Sequence, residues 1–68
     1  MDREYDLFEE LPDGSVLWRA VVPGLENALA KLKELGRLSP NGHFAMHTAT
    51  KTVVGRVNEP KSLSLIHI

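Results

Sequence analysis

The chain has 68 residues, of which 43% are hydrophobic and 25% charged, and its formal net charge is -1. This length allows at most one domain, and a charge so close to zero gives no sign of a nucleic-acid or anionic-membrane partner. The chain has no cysteine, which excludes disulfides and thiolate metal sites and fits a cytoplasmic location. No apolar run approaches the roughly 20 residues of a membrane helix, and the acidic start MDREYDLFEE is not a secretory signal.

A first β-hairpin is predicted around the Asp13–Gly14 dipeptide in the segment LPDGSV. Asp-Gly favours a two-residue type I′ loop, which needs a positive φ at both central residues. With that loop, Leu7 pairs with Ala20 and Glu9 pairs with Trp18. Because side chains alternate along a strand, this register places Trp18 on the more apolar face of the hairpin.

One helix is predicted between Pro23–Gly24 and Gly36. Apolar residues recur there at spacings of three and four, which is typical of an α-helix with one apolar stripe. Gly36 suits the left-handed position just after the helix end. The stripe consists of Leu25, Ala28, Leu29, Leu32 and Leu35.

A second hairpin is predicted in HFAMHTATKTVVGRVN, with Thr50–Lys51 as the loop, Met46 opposite Gly55 and Phe44 opposite Val57. The complete pattern is an α+β fold, a two-layer ββαββ domain over residues 1–58 with one helix on a four-stranded, mainly antiparallel sheet. A single helix covers only one face of such a sheet. The strand residues expected to face the helix are Tyr5, Leu7, Val16, Trp18, Ala20, Phe44, Met46, Val53 and Val57.

Residues 59–68 are expected to form a tail that does not belong to the domain. Its last six residues, LSLIHI, match the translation of a transposon mosaic-end adapter used to prepare sequencing libraries. The alternative is a fifth strand on a sheet edge or an aggregation-prone appendage. We take residues 63–68 as a non-native adapter translation and leave them out of the fold prediction.

The segment EYDLFEELPDGSVLWRAVVPGLENALAKLKELG, followed by FAMHTATKTVVGRVN, resembles a group of short uncharacterised bacterial proteins. Their pattern combines a D-Y-E-L-F-E-like strand with L-P-D-G-S, W-R-G, G-L-E, M-H-T and a final R-V-N. Ala20 stands where that pattern often has glycine. The resemblance implies a small complete domain, and it implies no activity.

Candidate catalytic and metal-binding residues are few. His43 and His47 form an H-x-x-x-H pair, but on a strand they lie about 13 Å apart, too far for one zinc ion. Glu9, Glu10 and Asp13 cluster at the first turn, where carboxylates are usually solvated. The sequence shows no arrangement of a nucleophile with a general base of the Ser-His-Asp type. We therefore expect no enzyme activity, no cofactor and no metal site.

The open face of the predicted sheet is the most informative surface, because it mixes apolar and charged side chains more than a solvated sheet face usually does. We expect a non-enzymatic interaction or self-association module, for example a homodimer or a module for another protein partner. The alternative is a nucleic-acid-binding accessory protein that uses Arg19, Arg56 and the histidines of the sheet. The candidate interaction face consists of Phe8, Leu17, Arg19, Val21, His43, Ala45, His47, Val54 and Arg56.

Overall fold

A computed structural model describes residues 3–58, and these form the predicted ββαββ fold of one helix packed on a four-stranded sheet. The sheet order is β2-β1-β3-β4, and all three strand pairings are antiparallel. The predicted tail, 59–68, lies outside the described residues. The elements are β1 (Glu4–Glu10), β2 (Val16–Pro23), α1 (Leu25–Leu38), β3 (Gly42–His47) and β4 (Thr52–Val57).

The helix α1 begins after Gly24, whose φ of 86° is a conformation that favours glycine. It continues through Gly36 to Leu38, and the backbone N–H of Ser39 closes it by donating to the Leu35 carbonyl oxygen at 3.1 Å. The prediction that Gly36 ends the helix is therefore wrong. Gly36 instead lies where the helix approaches β4, since a Cβ atom there would lie 2.8 Å from Cγ2 of Val57.

The hydrophobic core lies between α1 and one face of the sheet. Small residues on β3 and β4 let the helix come close, because a Cβ atom on Gly55 would lie 2.9 Å from Cδ2 of Leu29. Leucine side chains from the helix and from β1 fill the space that remains. The central cluster is Leu7, Leu32, Leu35 and Ala45, and Ala20, Val22, Leu29 and Val57 pack against it.

The first hairpin turns through three residues, so the predicted two-residue loop is wrong. The N–H of Gly14 donates to the Leu11 carbonyl oxygen and the N–H of Leu11 donates to that of Ser15, both at 2.9 Å. Gly14 has a φ of 92°, whereas Asp13 is not in the left-handed region. The fixed φ of Pro12 suits the first central position of a type I turn, which leaves Gly14 as the left-handed residue that follows it.

The three-residue loop displaces the pairing of β1 and β2 by one residue near the turn. Phe8 pairs with Trp18 there, and the predicted pairing of Glu9 with Trp18 is wrong. A β-bulge at Arg19 then restores the predicted register, so that Leu7 pairs with Ala20 as expected. The bulge offsets the register shift that the longer loop introduces. Only the β2 residues between the loop and the bulge therefore lie on the opposite face from the predicted one.

The second hairpin has a four-residue loop, Thr48–Lys51, in place of the predicted Thr50–Lys51 loop. The N–H of Lys51 donates to the His47 carbonyl oxygen at 2.8 Å, and Lys51 has a φ of 61°. Phe44 consequently pairs with Arg56, not with Val57. Met46 pairs with Val53, so its predicted pairing with Gly55 is wrong as well. Phe44 and Met46 lie opposite Phe8 and Asp6 of β1, which alternate with the buried Leu7, so both turn away from the helix.

Candidate interaction face

The sheet face turned away from α1 is called the open face below. Tyr5, Leu7 and Glu9 are buried on the helix side of β1, so the residues that alternate with them point to the other side. Residues directly opposite each other on neighbouring strands share a face, which extends the assignment to the whole sheet. The open face consists of Asp6, Phe8, Glu10, Val16, Trp18, Val21, Phe44, Met46, Val53 and Arg56.

Four of these residues form one row across all four strands, called the aromatic row below. Trp18 on β2 pairs with Phe8 on β1, Phe8 pairs with Phe44 on β3, and Phe44 pairs with Arg56 on β4. The two phenylalanine rings stack with their centroids 5.1 Å apart and their planes 22° apart. The Arg56 guanidinium carbon lies 5.2 Å from the centroid of the Phe44 ring, within the range of a cation–π contact.

The aromatic row lies in a largely apolar and accessible surface. The Trp18 side chain is 54% exposed, and Val16, Val21 and Val53 on the two edge strands are exposed as well. Scattered apolar residues on a surface are ordinary, but a contiguous patch of this kind marks an interaction site in many soluble proteins. A partner that covers the open face would therefore remove several large apolar side chains from water at once.

The polar groups of the open face have partners within the chain. One carboxylate oxygen of Asp6 accepts a hydrogen bond from Nε1 of Trp18 at 3.3 Å, and the other accepts one from Oγ1 of Thr48 at 3.0 Å. Nη1 of Arg56 lies 3.5 Å from Oε1 of Glu10. These contacts hold the indole and the guanidinium in place beside the phenylalanine rings.

A second polar cluster surrounds the buried carboxylate of Glu9 on the helix side. Oε2 of Glu9 accepts hydrogen bonds from Nδ2 of Asn41 at 2.7 Å and from Oγ of Ser39 at 3.0 Å. Nη1 of Arg19 lies 3.6 Å from Oε1. The hydrogen bond from Asn41 is the largest cause that lowers the pKa of Glu9, against the opposing effect of burial. The ionised carboxylate thus ties β1 to the loop that precedes β3.

Both strand histidines contact other side chains of the domain. His43 is buried, and its Nε2 lies 3.9 Å from Oε1 of Glu9. The His47 ring is tilted against Tyr5 with centroids 5.3 Å apart, and its Nδ1 lies 2.8 Å from Oγ1 of Thr50. Within residues 3–58, no group of three or more His, Cys, Asp or Glu side chains is placed to hold a metal ion.

Three of the nine predicted interaction residues lie on the open face, namely Phe8, Val21 and Arg56. His43 and Ala45 do not, because both are buried beneath α1. The prediction placed the larger Phe44 and Met46 in the core. The close approach of the helix instead leaves room on that side for the small Ala45.

The other four predicted residues also lie away from the aromatic row. Leu17 pairs with Glu9 and His47 pairs with Tyr5, so both belong to the helix side of the sheet. Arg19 and Val54 occupy the bulges of β2 and β4, and Arg19 reaches Glu9. The predicted basic group of Arg19, Arg56 and the histidines is therefore not gathered on one face.

Sequence reasoning missed half of the ten residues that form the open face. The outward position of Trp18 could have been predicted from Pro12, since proline before Asp-Gly favours a type I turn with a three-residue loop. That loop alone would have paired Trp18 with Phe8. No comparable signal marks the second hairpin, because lysine is an unusual residue at a positive φ. The missed residues are Val16, Trp18, Phe44, Met46 and Val53.

Comparisons with known proteins identify no relative of this chain. Among residues 3–58, the single helix is too short and too polar to cross a membrane. The chain matches no protein-family model, no curated protein and no solved structure.

Proposed function

We propose that this chain is a non-enzymatic protein-interaction module whose binding surface is the open face. The observation that carries the proposal is the aromatic row, with Trp18 exposed at one end and Arg56 at the other. Tryptophan, phenylalanine and arginine are enriched in the buried centres of protein interfaces. The three-residue turn supports this reading, because the register that it sets pairs Trp18 with Phe8 and so places the indole on the open face.

Nucleic-acid binding is the alternative, since aromatic side chains on an open sheet can stack bases. Charge favours the protein partner. The open face carries two carboxylates, Asp6 and Glu10, and one cation, Arg56, which is already paired with Glu10. Arg19 lies beside Glu9 on the helix side and His43 is buried, so neither adds positive charge beside the aromatic row. A phosphate backbone laid across this face would meet net negative charge.

The proposal is tested by Val21→Asp, with Leu25→Asp as the matched control. Val21 is 46% exposed on the open face, and Leu25 is 45% exposed at the start of α1. Both substitutions therefore add one negative charge at positions of nearly equal exposure. The assay expresses a tagged chain together with an untagged copy and compares the proteins that co-purify. We expect wild type and Leu25→Asp to retain the same partners, including any second copy, and Val21→Asp to lose them.

Co-purification that is unchanged by Val21→Asp would contradict the proposal, provided that circular dichroism shows a folded variant. Val53→Lys is the second variant, because it places a charge at the opposite edge of the same face. The nucleic-acid alternative predicts a different result. A labelled single-stranded oligonucleotide would then bind with a steep salt dependence, and Arg56→Ala would lower both the affinity and the salt slope.

A further inference from the structure

Resting on the proposed function, we propose that the partner of the open face is a second copy of this chain. The two sheets pack face to face about a two-fold axis that runs along the strands, between β1 and β3. The area, the order of the aromatic row and the internal pairing of the polar groups each support this arrangement.

The area of the open face is sufficient for a small dimer. Four strands span about 19 Å and strands of six to eight residues are about 20–26 Å long, so the face covers roughly 400 Å² in plane. With the relief of the side chains included, two such faces bury on the order of 1,000 Å² of accessible surface. This is about the minimum that a specific interface needs. An identical sheet also matches the open face in width and length, as in aligned β-sandwiches.

The order of residues along the aromatic row is self-complementary. A two-fold axis along the strands places β2 over β4 of the other copy and β1 over its β3. Trp18 then lies over Arg56 of the partner subunit, and Phe8 lies over Phe44 of the partner subunit. Each copy contributes one Trp–Arg contact and one Phe–Phe contact, and both are favourable pairs in interfaces.

The same axis keeps the two Arg56 cations apart. Arg56 lies on an edge strand, so two copies of it are separated by the width of the sheet, about 14 Å for three strand spacings. An axis perpendicular to the strands would place each edge strand over itself and bring Arg56 against Arg56 of the partner subunit. Opposed cations without an anion between them are unfavourable in a desolvated interface.

The polar groups of the open face can be buried without losing their partners. Asp6 keeps its hydrogen bonds from Trp18 and Thr48, and Arg56 keeps its contact with Glu10. Burial of an unpaired charge or polar group is the usual obstacle to covering such a surface. Here these contacts are formed within each chain before any association.

The arrangement is tested by chemical cross-linking of introduced cysteines, which is straightforward because the chain has none of its own. Val21 on β2 lies over Val53 of the partner subunit, and both positions are exposed. The variants are Val21→Cys, Val53→Cys and the double variant, treated with a bis-maleimide that spans about 8 Å, which suits sheets packed ~10 Å apart. Light scattering gives the mass of the untreated wild-type chain in solution.

We expect a wild-type mass of two chains, a cross-linked dimer for the double variant and almost none for either single variant. A dimer in which Val21→Cys alone cross-links would overturn the proposed axis and leave the proposed function standing. A single-chain mass at the highest soluble concentration would overturn the second copy as the partner, and the co-purification assay then decides the proposed function separately. Association that disappears when the chain ends at Ser62 would overturn the inference as well.

Discussion

Replacing Gly36 by alanine tests how closely α1 packs against β4. Inside a helix, alanine is normally more stable than glycine by about 1 kcal/mol. Here the added Cβ atom would lie 2.8 Å from Cγ2 of Val57 and 3.3 Å from Nδ2 of Asn58. The Asn58 amide donates to the carbonyl oxygens of Gly36 and Ser39 at 2.7 and 3.1 Å, so displacing it would also disturb the end of the helix.

The expected size of the effect follows from these opposing contributions. Overpacking of a methyl group typically costs about 1–3 kcal/mol, and the β-branched Val57 side chain has few other rotamers to adopt. We therefore expect Gly36→Ala to lower the free energy of unfolding by about 1 kcal/mol. For a domain of this size that corresponds to a decrease in Tm of roughly 4–8 °C.

The assay is urea or thermal unfolding of wild type, Gly36→Ala, Val57→Ala and the double variant. Once Val57 is alanine the nearest obstruction is removed, and Gly36→Ala should then stabilise the domain by about 1 kcal/mol. The sign of the Gly36→Ala effect thus depends on residue 57. If Gly36→Ala stabilises the wild-type chain as much as it stabilises the Val57→Ala variant, the reasoning about close packing is wrong.

Three further changes test the buried carboxylate, the core and the second turn. Because the pKa of Glu9 is lowered on folding, its contribution to stability is complete above its unfolded pKa and is lost as the pH falls through its folded pKa. Glu9→Gln should therefore flatten the acid side of the stability–pH profile measured by urea unfolding, and an unchanged profile would contradict this. Leu32→Ala should lower the free energy of unfolding by about 2–5 kcal/mol, whereas Leu38→Ala, at a residue 77% exposed, should change it by less than about 0.5 kcal/mol. Lys51→Gly should raise the free energy of unfolding by about 0.5–1 kcal/mol, because glycine adopts a positive φ without strain, and a lower Tm would refute this.

The order of the elements could be predicted from the sequence because each has a strong local cause. The leucine stripe defines α1, and the Asp-Gly dipeptide marks a turn between two strands. The end of the helix was not predictable in the same way, since Gly36 has the residue type of a helix terminus. Its actual role depends on Val57, which is distant in sequence, and local patterns do not contain that contact.

Which residues face outward could not be predicted reliably, because side chains alternate with a period of two. The inclusion of Pro12 in the loop moved Trp18 to the open face, and the bulge at Arg19 hid this difference at the far end of the hairpin. On β3, large apolar residues were expected in the core, whereas the helix packs against Ala45. Bulges and interlayer distances arise from tertiary packing, which explains why the candidate site was predicted less well than the fold.

The position of Trp18 also determines what fluorescence can report for this molecule. It is the chain's one tryptophan, and its indole lies on the surface of the domain rather than in the core. The indole of the isolated domain is therefore exposed to solvent both before and after unfolding, and its emission should shift only slightly. Any molecule that covers the open face excludes water from the same indole and should shift the emission to shorter wavelength. The intrinsic emission of this chain is thus a signal for occupancy of one surface, while folding is better followed by the backbone signal in circular dichroism.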